Sequence, residues 1–110
     1  MITGLNPYIV TNGNGQEVAK FYQEALEAEL LSFQTFADMP DNPEYPLPPE
    51  AKDRVLHAHL KIGSNDFMLS DTFPGQPYEL GNQVTVAVSV SDPHHARTIF
   101  EKLQVGGKVD

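Results

Sequence analysis

The chain has 110 residues, a length that fits one domain by the usual size prior. Its composition, 40% hydrophobic and 20% charged, is that of an ordinary globular protein, and the absence of cysteine excludes disulfides, thiolate metal sites and thiol nucleophiles. Fifteen acidic against seven basic residues give a net charge of −8 with no basic cluster, which argues against a nucleic-acid partner.

The acidity is uneven, nine acids falling in residues 1–55 and six in residues 56–110. No run approaches the roughly 18 apolar residues of a membrane span, and Met1-Ile2-Thr3-Gly4 has no signal-peptide character. The expectation is a cytoplasmic protein without a membrane partner.

In chain order, Asn6–Thr11 has β-rich chemistry, with Pro7 tolerated near a strand's first residue. Asn12-Gly13-Asn14-Gly15 is a turn, and Asn14 followed by Glu17 predicts a capped helix start. Val18, Phe21, Tyr22, Ala25 and Leu26 then form one helical stripe. Leu30–Phe36 reads as a second strand. Between Ala37 and Pro49, five prolines among acids forbid regular structure and predict a long loop, which could serve as a lid, a dimer-contact arm or, equally, a solvated connection.

Val55–Ile62 and Asp66–Ser70, separated by Gly63-Ser64-Asn65, predict a hairpin, followed by a Pro/Gly linker over residues 72–81. Val84–Val90 is a further β-rich run. Asp92-Pro93 then starts a second helix whose stripe is Ala96, Ile99, Phe100 and Leu103, ended by Gly106-Gly107.

A shift of 78 positions lays Pro7–Thr11 on Thr85–Ser89 and superimposes the two helical stripes without a gap. The fold class expected is α+β: paired β-α-β-β-β units within a single domain, the first over residues 1–75 and the second beginning at 82–110. Under the same offset Asp110 corresponds to Ser32, so the second copy would stop before its last three strands. A partner or a continuation of the chain would then supply them.

Strand alternation over Val55–Ile62 puts Leu56, Ala58, Leu60 and Ile62 on the helix side and Val55, His57, His59 and Lys61 on the other. His57 and His59 are therefore candidate catalytic residues. They could line a pocket as hydrogen-bonding groups, ligate a metal, or act as acid and base. Tyr8, Met68, Ser70 and Thr85 are candidate ligand-binding residues; Met with Tyr suits an aromatic or acyl ligand, and core packing is the alternative role for both. Asp66, Asp71 and Asp92 stand at element ends, where Asp commonly caps or turns the backbone. His94-His95 reads as a solvated first helical turn.

Phe21-Tyr22, Ala25-Leu26, the run Ala51–Gly63, Met68–Asp71, Phe73-Pro74-Gly75 and Gly106-Gly107-Lys108-Val109 resemble the glyoxalase/bleomycin-resistance/extradiol-dioxygenase superfamily, the vicinal oxygen chelate proteins, and within it the PhnB-like group. The resemblance spans nearly the whole chain. It implies a cupped sheet around a pocket, a homodimer and, in chelating members, a divalent metal ion acting as a Lewis acid on two adjacent substrate oxygens.

Chelating relatives carry Glu at the position of His59, which makes His59 the candidate metal residue. They carry His at the positions of Pro7 and Thr85, which supply no comparable ligand. The function expected is therefore small-molecule binding without the full standard metal site. The alternative is a metal-dependent lyase, isomerase or dioxygenase acting on a small oxygenated substrate. A methyltransferase label attached to some relatives fits poorly, because no G-x-G-x-x-G motif follows the first strand.

Overall fold

The structure, a computed structural model, describes every residue except Asp41, Asn42, Tyr45 and Asp110. It divides into two compact units, Met1–Leu80 and Gly81–Asp110.

The first unit runs β1 (Tyr8–Thr11), α1 (Gly15–Ala25), β2 (Glu29–Thr35), β3 (Val55–Ile62) and β4 (Asn65–Asp71). The sheet order is β1-β4-β3-β2, with β1 parallel to β4 and the other two pairings antiparallel. This is the β-α-β-β-β arrangement the hydrophobic periods predict, and the class is α+β with a mixed sheet. Leu26 follows the helix, and Glu27 takes a φ of 55°, the left-handed conformation that commonly stops a helix, while the amide of Ala28 donates back to the Gln23 carbonyl.

The core lies between α1 and one sheet face: Ala19, Ala28, Val55, Ala58, Leu60, Phe67 and Leu69 are buried, with Ile9, Val18, Tyr22 and Phe33 packed against them. The helix face is centred on Gly15, Ala19 and Tyr22, so small residues bring the helix close to the sheet, and Phe21 of the expected stripe sits at its flank. Tyr22 reaches β4, its ring 5.2 Å from that of Phe67.

Two details correct the sequence reading. Val55 belongs to the core and not to the histidine face. In the β2–β3 register Gln34 pairs with His57 and Thr35 with Val55, so Leu56 is an extra residue in β3, and a bulge there resets the alternation by one. The second concerns the start of α1. The Asn14 side chain makes no capping bond; the Asp71 carboxylate at the far end of β4 receives the Gly15 amide instead.

The loop expected over residues 37–49 contains three undescribed residues, Asp41, Asn42 and Tyr45. At its margins lie short 3-10 turns at Phe36–Asp38 and Pro49–Ala51, and the rings of Phe36 and Phe73 meet edge-on at 5.5 Å.

In the second unit, α2 spans Pro93–Leu103 and is capped as expected, Asp92 Oδ1 accepting the His94 amide at 3.0 Å. Ile99 is its buried residue. The β-rich run Val84–Val90 forms no strand among the described residues, and Val84, Val86 and Val88 are exposed. β-branched composition favours an extended backbone, but a strand exists only where a neighbour pairs its N–H and C=O groups. Among the described residues no helix is long and apolar enough to cross a membrane.

Candidate functional site

The face of the sheet opposite α1 carries the polar residues that the alternation assigned to it. Register aligns Tyr8 of β1 with Met68 of β4, Met68 with His59 of β3, and His59 with Ser32 of β2, one row crossing all four strands. Beside it, Ser70 pairs with Val10 and His57 with Gln34. Five of the expected residues, Tyr8, His57, His59, Met68 and Ser70, are thus gathered on one surface. Thr85 lies in the second unit on the unpaired run and belongs to no strand of this sheet.

The histidines are held differently. His57 Nδ1 lies 3.3 Å from the Tyr8 hydroxyl, with the two rings 5.9 Å apart. His59 Nε2 lies 2.9 Å from Asp66 Oδ1, its side chain 29% exposed and that of Asp66 42%. The imidazole rings of His57 and His59 stand 6.3 Å apart, close to perpendicular. Two hydrogen-bonded pairs, Tyr8 with His57 and His59 with Asp66, therefore stand beside each other on this face.

Asp66 was not among the expected site residues. The signal was present in the hairpin: the turn at Gly63-Ser64 pairs Asp66 with Lys61, which leaves His59 one diagonal step away on the same face, within reach of a long side chain.

A second cluster joins the chain ends of the sheet. Asp71 is 6% exposed and accepts five hydrogen bonds: from the Thr11 hydroxyl at 2.7 Å, the Gly13 amide at 2.7 Å, the Val55 amide at 2.7 Å, and the Gly15 amide through both oxygens at 3.0 and 3.3 Å. Next to it, Arg54 donates to the Thr72 carbonyl at 2.9 Å, and the Thr72 hydroxyl donates to Asn12 Oδ1 at 2.6 Å. All these partners are backbone groups or side chains of the fold, so the cluster is structural.

No group of three or more His, Asp or Glu side chains placed to hold a metal ion occurs among the described residues. His57 and His59 are two potential ligands, and Asp66 engages the Nε2 of one of them. The described side chains fall short of the three protein ligands usual in a catalytic site, so no chemical step is assigned to a metal here.

No protein-family model matches the chain. Escherichia coli protein YjdN is 27% identical over 112 residues, a match covering 96% of this chain and 76% of YjdN. The Bacillus cereus PhnB protein, labelled a 3-demethylubiquinone-9 3-methyltransferase, superposes with a TM-score of 0.70 at 17% identity, covering 93% of this chain and 74% of its own. That match shows the fold, an α+β PhnB-like cupped sheet. The crystal structure of PA1353 from Pseudomonas aeruginosa superposes with a TM-score of 0.84 at 31% identity, over 99% of this chain and 77% of that one. With that identity over that share of its length, the chain belongs to the family of the Pseudomonas aeruginosa protein PA1353.

Proposed function

We propose that this is a PhnB-like member of the glyoxalase/bleomycin-resistance superfamily that binds a small oxygenated organic molecule, as a cytoplasmic homodimer, on the helix-free face of its sheet. The observation that carries the reading is the gathering of Tyr8, His57, His59, Met68 and Ser70 in adjacent register rows on that face. An aromatic ring and a thioether supply apolar contact, and two imidazoles and a hydroxyl supply hydrogen bonds, the mixture typical of small-molecule sites.

The methyltransferase label of the Bacillus cereus relative does not extend to this reading. A nucleotide-type cofactor is usually held by glycine-loop amides at a helix N-terminus. Here the amides of Gly13 and Gly15 already donate to Asp71.

The test is a fragment library screened by ligand-observed NMR against the wild type, His57→Ala and His59→Ala. Fragments that bind the wild type and lose affinity in both variants support the reading. Binding indifferent to both substitutions overturns it. Sedimentation over a concentration series tests the dimer, a monomer at every concentration counting against it.

The second reading, a metal-dependent lyase, isomerase or dioxygenase, is favoured by the 6.3 Å spacing of two imidazoles on one face. Further ligands would have to join them. Calorimetric titration with Mn2+, Ni2+ and Zn2+ decides it: stoichiometric binding that is lost in His59→Ala establishes this reading, and no binding removes it.

A further inference from the structure

This inference rests on the helix-free face being the ligand surface and concerns which atom of His59 would act there. His59 Nε2 is 2.9 Å from Asp66 Oδ1. An ionised carboxylate only accepts hydrogen bonds, so Nε2 must carry the hydrogen and donate it. A neutral imidazole has one N–H, so its lone pair then resides on Nδ1. Among the described residues no buried side-chain nitrogen or oxygen lacks a hydrogen-bond partner. No hydrogen bond to Nδ1 is present among them either, so this atom reaches the open surface of the face.

We propose that Asp66 is a positioning residue: it holds His59 in the Nε2–H tautomer and so makes Nδ1 the proton-accepting atom offered to a bound molecule. Lys61 stands directly opposite Asp66 in the β3–β4 ladder, yet the side chain that meets the Asp66 carboxylate is that of His59, one diagonal step away. His57 is anchored through the other ring nitrogen, Nδ1, by Tyr8. The two imidazoles therefore turn different edges to the face, and only His59 has a carboxylate behind it. A ligand group that complements His59 is one with an O–H or N–H to donate.

The experiment is a long-range 1H–15N spectrum of the uniformly labelled full chain at alkaline pH, where the imidazoles are neutral and each tautomer has its own nitrogen signature. His59 should show Nε2 as the protonated nitrogen. Asp66→Ala should shift the tautomer ratio toward Nδ1–H by about fivefold or more, the scale of losing one charge-assisted hydrogen bond. The Asp66 side chain is 42% exposed, so its removal should leave the thermal midpoint close to that of the wild type, and His57 should keep its signals. Wild-type His59 found as Nδ1–H, or a ratio unmoved by Asp66→Ala, overturns the assignment.

Two probes separate this from the binding reading. Phenol, a small aromatic O–H donor, should move the Nδ1 resonance of His59, and anisole, which lacks the donor, should not. If neither probe perturbs the face while the Nε2–H tautomer and its dependence on Asp66 hold, the positioning role stands and ligand binding on that face is what fails.

Discussion

Asp71 at the end of β4 accepts the Gly15 amide at the start of α1, 56 residues away in the chain, at 3.0 Å. The same carboxylate takes amides from the β1–α1 turn and from the first residue of β3. One buried side chain therefore satisfies backbone donors of three segments that would otherwise be orphaned, and fixes helix, turn and strands relative to one another.

Asp71→Asn should destabilise the protein by about 3 kcal/mol, because the new amide nitrogen faces N–H donors and leaves buried groups unpaired. Denaturant unfolding followed by circular dichroism measures it. A loss under about 1 kcal/mol would mean that water or neighbouring groups replace the carboxylate.

Gly15 and Gly63 should respond to alanine for different reasons. A Cβ on Gly15 would lie 2.7 Å from Asp71 Oδ2 and 2.8 Å from Val55 Cγ2, so helix and sheet must separate, at a cost of about 2 kcal/mol. Gly63 has open space around it but a φ of 60°, so Gly63→Ala should cost about 1 kcal/mol through backbone strain alone. Paired unfolding curves should show Gly15→Ala as the more damaging change.

The two helix starts predict opposite outcomes for similar substitutions. Asp92→Ala removes the bond from the His94 amide and should cost about 1 kcal/mol. Asn14→Ala should cost under about 0.5 kcal/mol, since the Asn14 side chain caps nothing and accepts only a long, exposed bond from the Asn12 amide. Amide hydrogen exchange in the first turn of each helix reads both effects, and equal protection losses at the two sites would contradict the assignment.

Tyr8→Phe should remove the hydroxyl beside His57 while keeping the ring. With Tyr8 half-exposed, stability should change by less than about 0.5 kcal/mol. The His57 ring resonances should move and those of His59 should not. Movement of both would show that the two histidines respond as a coupled pair.

The α+β class, both helices, the β3–β4 hairpin and the face bearing His57 and His59 were legible in the sequence, because each follows from local periodicity, 2 for a strand and 3.6 for a helix, bounded by Gly, Pro and Asp. The Asp92 cap was legible for the same reason, its partner being two residues away. What the sequence could not carry was anything decided by a long-range partner. Val84–Val90 has a strand's composition, yet its residues pair with no strand among the described residues. Val55 changed faces because of a bulge set by the register with β2. The cap of α1 came from Asp71 and not from its neighbour Asn14. Asp66 became the partner of His59 only when the hairpin turn fixed the diagonal between them. Side-chain period is a property of a segment, whereas pairing, register and hydrogen-bond partners belong to segments brought together, and only the tertiary structure decides those.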